Sequence, residues 1–280
     1  MQIDIHGNDI FYTIHGEGLP ILFLHGGLGL DHTSFRPWLD PLGDVAQLIY
    51  YDMLGNGRST RPRNYKEVTL DTWADEADAL RVALGHERIV LFGHSFGGFI
   101  AQQYALRHGN HLAGLILSNT APAVDYSELL VSNAQTYGTP EQAQLALHGL
   151  SNPASFSDDE AFRRLWTSIL PMYFHHYDAG ITRAMDEATQ YSGGAFVHGS
   201  ACLETFNTVN RLSQVSTSTL LLGSRYDWIT PLQQGAERFH AALPRAQLVV
   251  FENSGHFPFI EERAAYLNTV RNWLAHLQQP

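Results

Sequence analysis

RIVLFGHSFGGFIAQQYALRH, residues 88–108, sets a single serine, Ser95, between a continuous apolar run and a run of helical periodicity, with glycines at 93, 97 and 98. A short unbroken apolar run fits a strand covered on both faces, the strand type of a parallel sheet. From Phe96 to Gly109 apolar residues recur at helical spacing. The chain is therefore expected to pass from strand to helix at Ser95 itself, where glycine allows a sharp bend and close approach of neighbouring backbone.

The same texture recurs on both sides of this stretch. PILFLHG (20–26), QLIYYD (47–52), LAGLILS (112–118), TLLLG (219–223) and QLVVF (247–251) read as further central strands. Residues 2–15 read as a leading hairpin around Gly7-Asn8. Helical patterns at 69–85, 96–109, 232–243 and 261–277 alternate with the strands. Alternation of this kind predicts an α/β fold: a mostly parallel sheet, eight strands in all, with helices on both faces. It breaks between about 121 and 216, where helical pieces at 126–137, 140–149, 159–170, 179–190 and 200–212 follow one another without a buried strand. Pro122, Pro140, Pro153, Pro171 and the pair Gly193-Gly194 punctuate that region. The expected organisation is a core of residues 1–120 and 217–280 carrying an inserted helical cap, 121–216.

Composition narrows the function classes. The chain has 280 residues, 44% hydrophobic and 16% charged, which suits one large soluble α/β unit with an insertion. No apolar run approaches the roughly 20 residues of a membrane helix, so no membrane partner is expected. The start lacks the basic and apolar regions of a signal peptide, and Cys202 is the only cysteine, which together predict a cytoplasmic protein. Lys plus Arg number 17 against 28 Asp plus Glu, and no basic stripe is interleaved with aromatics, so no nucleic-acid partner is expected. The fifteen histidines include no pair with metal spacing and a third ligand; His175-His176 reads as pocket or surface, and neither metal nor cofactor is expected.

Gly93-His94-Ser95-Phe96-Gly97 matches G-x-S-x-G after a predicted strand and before a predicted helix, the setting of a nucleophile elbow. Such a turn lifts the serine hydroxyl above the sheet edge and puts the Phe96 amide at a helix N-terminus, where unpaired N–H groups favour a negative oxygen. A serine needs a base, and the base an orienting carboxylate. Asp227 follows the strand at 219–223 and His256 the strand at 247–251, both on carboxyl-end loops where α/β sheets gather ligands. Ser95, Asp227 and His256 are the expected catalytic triad, although Asp227 also fits a turn-capping aspartate and His256 a loop histidine. LFLHGGLG (22–29) follows the first buried strand, and the amides of Gly27 and Phe96 are the expected oxyanion donors. His25 and His94 fit structural neighbours of these turns.

With these residues assembled, the chain resembles the α/β-hydrolase superfamily over nearly its whole length. His25-Gly26-Gly27-Leu28-Gly29, the run from Tyr51 to Ser59, the elbow, Asp227 and His256 stand in that family's order. HGGLGLDHTSF and YDMLGNGRS are most similar to the proline iminopeptidase branch. The resemblance implies release of an N-terminal residue from a small molecule or short peptide, with a cap carboxylate holding the free amine. Glu204 is the candidate for that carboxylate, or else a solvent-facing cap residue. Leu28 replaces a usual proline and the elbow is that of many esterases, so a carboxylesterase or lactonase acting, for example, on an acyl-homoserine lactone stays open. A ligand-binding receptor of the same fold is a third possibility. Ser95 excludes the dehalogenases and epoxide hydrolases of this fold, which carry aspartate there. The aromatics of LWTSILPMYFHHY, Trp166 and Tyr173 among them, fit cap core or substrate-binding pocket wall. Oligomeric state is not legible.

Overall fold

Alternation of side chains along the central strands decides the layering. In a computed structural model, which describes residues 1–243 and 245–277, the strands are β1 (Gln2–Ile5), β2 (Asn8–His15), β3 (Leu19–Leu24), β4 (Ala46–Tyr51), β5 (Ile89–His94), β6 (Leu112–Ser118), β7 (Thr219–Ser224) and β8 (Ala246–Phe251). They form one eight-stranded sheet in the order β1-β2-β4-β3-β5-β6-β7-β8, antiparallel at the β1-β2 and β2-β4 pairs and parallel from β4 onward. Ile21, Phe23, Val90 and Phe92 enter one buried cluster; Leu22, Leu24, Ile89 and Leu91 enter the other. Both faces are thus covered, which is why these strands read as unbroken apolar runs.

The helices, in chain order, are α1 (Leu70–Ala83), α2 (Phe96–His108), α3 (Ser127–Tyr137), α4 (Pro140–Ser151), α5 (Asp159–Ile169), α6 (Ala179–Ala188), α7 (Gly193–Leu203), α8 (Ala236–Ala242), α9 (Pro258–Glu261) and α10 (Arg263–Leu277). Trp73 of α1, Ile100 of α2 and Phe239 of α8 pack on one face of the sheet, and Tyr266, Val270 and Trp273 of α10 on the other. Helices α3 to α7 lie between β6 and β7 and form the cap. Phe162, Leu165 and Trp166 of α5 belong to the same buried cluster as Phe23 and Phe92. Among the described residues no helix is long and apolar enough to cross a membrane.

Two helices start elsewhere than the sequence predicts. The helix expected at 232–243 begins only at Ala236, because Pro231 O accepts from the amides of Gln234 and Gly235 and closes a turn first. The cap helix expected at 200–212 instead spans 193–203. Ser192 caps it by accepting from the Ala195 amide, and Gly193 is there for closeness: a Cβ would lie 2.5 Å from Ser157 O. Past Leu203 the chain makes a single bridge, Asn207 to Ala123, and a short 3-10 turn.

Candidate active site

Strand β5 delivers the chain to Ser95 at φ 51°, ψ −118°, a conformation that costs a non-glycine residue on the order of 1–3 kcal/mol. The surroundings fix it. The Ser95 amide donates to Ser118 O at 3.1 Å, and Ser95 O accepts from Gly98 N at 2.9 Å. A Cβ on Gly97 would sit 2.1 Å from Leu24 O, and one on Gly93 2.7 Å from both Ala101 Cβ and Gly97 O. The bend is possible only with these glycines. Ser95 occupies the N-cap position of α2 without spending its hydroxyl on a cap hydrogen bond.

Asp227 and His256 stand on the loops after β7 and β8, 3% and 2% exposed. His256 Nδ1 lies 2.8 Å from Asp227 Oδ2. An ionised carboxylate can only accept, so Nδ1 carries the proton and Nε2 is left free to act as a base. Oδ2 also accepts from Asn119 Nδ2 (2.9 Å) and Thr230 Oγ1 (2.5 Å), and Oδ1 from the amides of Ile229 and Thr230 (3.1 Å each). Burial pushes the Asp227 carboxyl up, but His256 and these donors outweigh it and hold the group below the ordinary aspartate value. The backbone amide of His256 donates to Tyr173 O of the cap at 2.7 Å.

Gly27 (φ 64°) and Gly29 (φ 79°) turn the loop after β3 toward the elbow, and Phe96 opens α2. His94, one residue before the serine, is buried and donates Nε2–H to His256 O at 3.0 Å. Burial, with the nearby His256, pushes its pKa down to about 3, so it joins elbow and base loop as a neutral ring. That matches the structural part the sequence gives His94, whereas Asn119 and Thr230 are parts of the site that the sequence does not announce. The local signal for Asn119 is its place directly after the apolar run 112–118, and asparagine tolerates the positive φ of 46° that it adopts there.

Above Ser95 and His256 lies a cavity of about 160 Å³ between sheet and cap. Its walls include Leu28, Phe162, Leu165, Phe196 and Trp228, together with both aromatics singled out in the sequence, Trp166 and Tyr173. The Tyr173 ring meets that of His256 edge-on at 5.3 Å. Glu204 is not among them: it is exposed at the C-terminal end of α7. Among the described residues no aspartate, glutamate, lysine or arginine lines the cavity. Among the described residues two groups elsewhere have the compactness of a metal site, Asp31/His32/Asp52 and Asp78/His108/His111. Arg58 bonds the first and Arg81 the second, occupying carboxylate positions a cation would need.

Residues 20–263 match the family model described as the alpha/beta hydrolase fold. The chain belongs to the α/β-hydrolase family, and it lies close to that family's proline iminopeptidase branch. Among curated relatives it is 27% identical to the proline iminopeptidase PfmaB of Pestalotiopsis fici, over 97% of this chain and 98% of that one. It is also 27% identical to the proline iminopeptidase of Saccharolobus solfataricus, over 96% and 90%. Among solved structures, a thermophilic esterase from Thermogutta terrifontis superposes with a TM-score of 0.72 at 25% identity over the full length of both chains. A meta-cleavage product hydrolase from Pseudomonas fluorescens gives 0.78 at 24% identity, over 99% of this chain and 97% of that one.

Proposed function

We propose that this hydrolase is serine-dependent and cleaves small uncharged esters, lactones included, through an acyl-enzyme. Ser95 Oγ attacks the carbonyl carbon as His256 Nε2 takes its proton, and Asp227 holds the imidazolium. The amides of Gly27 and Phe96 receive the oxyanion; each such donor is typically worth a factor of 10²–10³ in rate. Collapse breaks the carbon–oxygen bond, and His256 gives its proton to the departing alkoxide. Water then repeats the attack on the acyl-serine and releases the acid, so ester and water become acid and alcohol.

The observation that carries the substrate side is the absence of any carboxylate from the lining of the cavity among the described residues. A free amine would enter as an ammonium ion, and burying it without a partner is costly. Kinship with proline iminopeptidases favours the amide reading, but Glu204, the residue offered for the amine, lies outside the lining. Similarity to the esterase supports the ester reading.

The test is a comparison of p-nitrophenyl butyrate, an acyl-homoserine lactone and proline p-nitroanilide, with Ser95→Ala as blank. The ester or lactone should be preferred by orders of magnitude, and Ser95→Ala should lose at least about 10³-fold. A preference for the proline amide sinks the substrate reading, and a Ser95→Ala variant that still turns over sinks the triad.

A further inference from the structure

The loop that carries Gly27 is held from two sides. From the core, Gly29 N donates to Asn56 Oδ1 at 3.1 Å, and Asp52 fixes the next turn by accepting from the His32 amide (3.1 Å) and from His32 Nδ1 (2.6 Å). From the cap, Ser192 N donates to Gly29 O at 2.9 Å, and the contact is so close that a Cβ on Gly29 would lie 2.2 Å from Ser192 O. Two residues earlier, Gln190 N donates at 2.8 Å to Oδ2 of Asp31, a fully buried carboxylate whose other oxygen caps the turn at Thr33. The cap segment is itself stapled from outside. Arg61 donates to Tyr191 O at 2.6 Å and to Asp159 at 2.5 Å, while Asp159 accepts from Gly193 N at 2.9 Å.

We infer that residues 190–192 are a strap that sets the oxyanion loop, with Asp31 and Arg61 as positioning residues for the Gly27 amide. The inference rests on Gly27 being an oxyanion donor, as proposed above. The argument is geometric. Oxyanion donors act only when aimed in advance at the place where charge develops, and the loop bearing this one is tied to the cap on the carboxyl side of Gly27 by one backbone bond, at Gly29 O, and by the Asp31 carboxylate. Leu30 packs directly beneath Gly27, where a Cβ would lie 2.2 Å from its Cδ1, so a shift at Gly29 or Asp31 is passed to Gly27 through packed atoms. Arg61 touches neither cavity nor proposed triad. Its side chain is 43% exposed, so replacing it disturbs the strap with little cost to folding.

The test uses Arg61→Ala, Arg61→Lys and Asp31→Asn, assayed with p-nitrophenyl butyrate and with a matched pair of inhibitors, an alkyl trifluoromethyl ketone and the corresponding methyl ketone. The first is attacked by Ser95 to give a tetrahedral oxyanion; the second binds as a neutral carbonyl. Arg61→Ala should lower kcat about tenfold with KM unchanged and weaken the trifluoromethyl ketone by the same factor, leaving the methyl ketone unaffected. Arg61→Lys should recover part of the loss, since an ammonium can still reach Tyr191 O. Asp31→Asn should lose more where it folds. The strap is overturned if kcat and trifluoromethyl ketone affinity stay at wild-type values in Arg61→Ala, or if both ketones weaken equally. If wild type is not inhibited by the trifluoromethyl ketone at all, the serine mechanism fails first and the strap with it.

Discussion

Ser95 and Asp227, the proposed nucleophile and acid, bond to core residues, whereas His256, the proposed base, and the Gly27 loop also bond to the cap. Among the described residues, Ser95 bonds to Ser118 and Gly98, and the Asp227 carboxylate to Asn119, Ile229, Thr230 and His256. His256 receives its ring partner from the core but gives its amide to Tyr173, and Gly255 is pressed so close to the cap that a Cβ would lie 2.4 Å from Tyr173 O. The oxyanion loop is tied to Ser192 and Gln190. A shift of the cap would pass directly to His256 and the Gly27 loop through these bonds, and to Asp227 only through its neighbours, because Tyr126 donates to Ile229 O at 3.3 Å and Asn133 to Trp228 O at 3.1 Å. Disturbing the core side should therefore remove chemistry or stability, and disturbing the cap side should reduce rate.

The largest effect tests the core side. Asp227→Asn places an amide where the His256 ring needs an acceptor and faces the Asn119 amide with a second one. The imidazole is then driven to the wrong tautomer, and kcat should fall by about 10⁴ while the fold persists. Steady-state kinetics with p-nitrophenyl butyrate read it out; a loss under tenfold would remove Asp227 from the mechanism and with it the division drawn above.

A smaller effect is expected across the cap junction. Glu261 accepts from His176 N of the cap through Oε1 and from Gly255 N through Oε2, each at 2.7 Å, and so ties the cap to the loop of the base. Glu261→Gln turns one acceptor into a donor, and one amide loses its partner at about 1–3 kcal/mol. The expectation is a loss of about tenfold in kcat. His176→Ala is the control, because only the backbone of residue 176 is in that bond. Equal losses in both variants would show that the effect comes from the cap surface rather than from the bridge.

The same division explains which parts of the molecule were legible in the sequence. The strands could be read because both faces are buried, and the elbow because its glycines answer to neighbours within a few residues or on the adjacent strand, as with Gly97 against Leu24 O. The positions of Asp227 and His256 follow from strand ends. The cap has no comparable period. Gly193-Gly194 looks like a break and is the first turn of a helix capped by Ser192; the glycine at 193 answers to the carbonyl of Ser157, distant in sequence. Glu204 is offered as an amine anchor by the family resemblance and as a solvent-facing cap residue by the alternative reading; α7 ends at Leu203, which lines the cavity, and leaves Glu204 exposed. The ties of the oxyanion loop join Asp31 to Gln190 and Gly29 to Ser192 across most of the chain, and no local pattern encodes them.

The smallest expected effect probes the core side of the oxyanion loop and should appear in stability alone. Glu76, on α1, is buried and accepts from the Leu54 amide at 3.1 and 3.3 Å, behind the turn whose Asn56 holds Gly29. Burial pushes its carboxyl up to about 8, with the Leu54 amide pulling weakly the other way. The folded chain therefore keeps a proton that the unfolded chain releases near pH 4–5, and the contribution to stability is whole below that range and lost as pH rises toward about 8. Glu76→Gln, which cannot ionise, should narrow the difference in Tm between pH 5 and pH 8.5 by on the order of 5 °C. It should leave kcat at either pH within twofold of wild type, since the strap on the cap side still holds the loop. A Tm difference equal to that of wild type would show that Glu76 is ionised in the folded protein at neutral pH. A large change in kcat would show instead that the core side sets the oxyanion loop as firmly as the cap does.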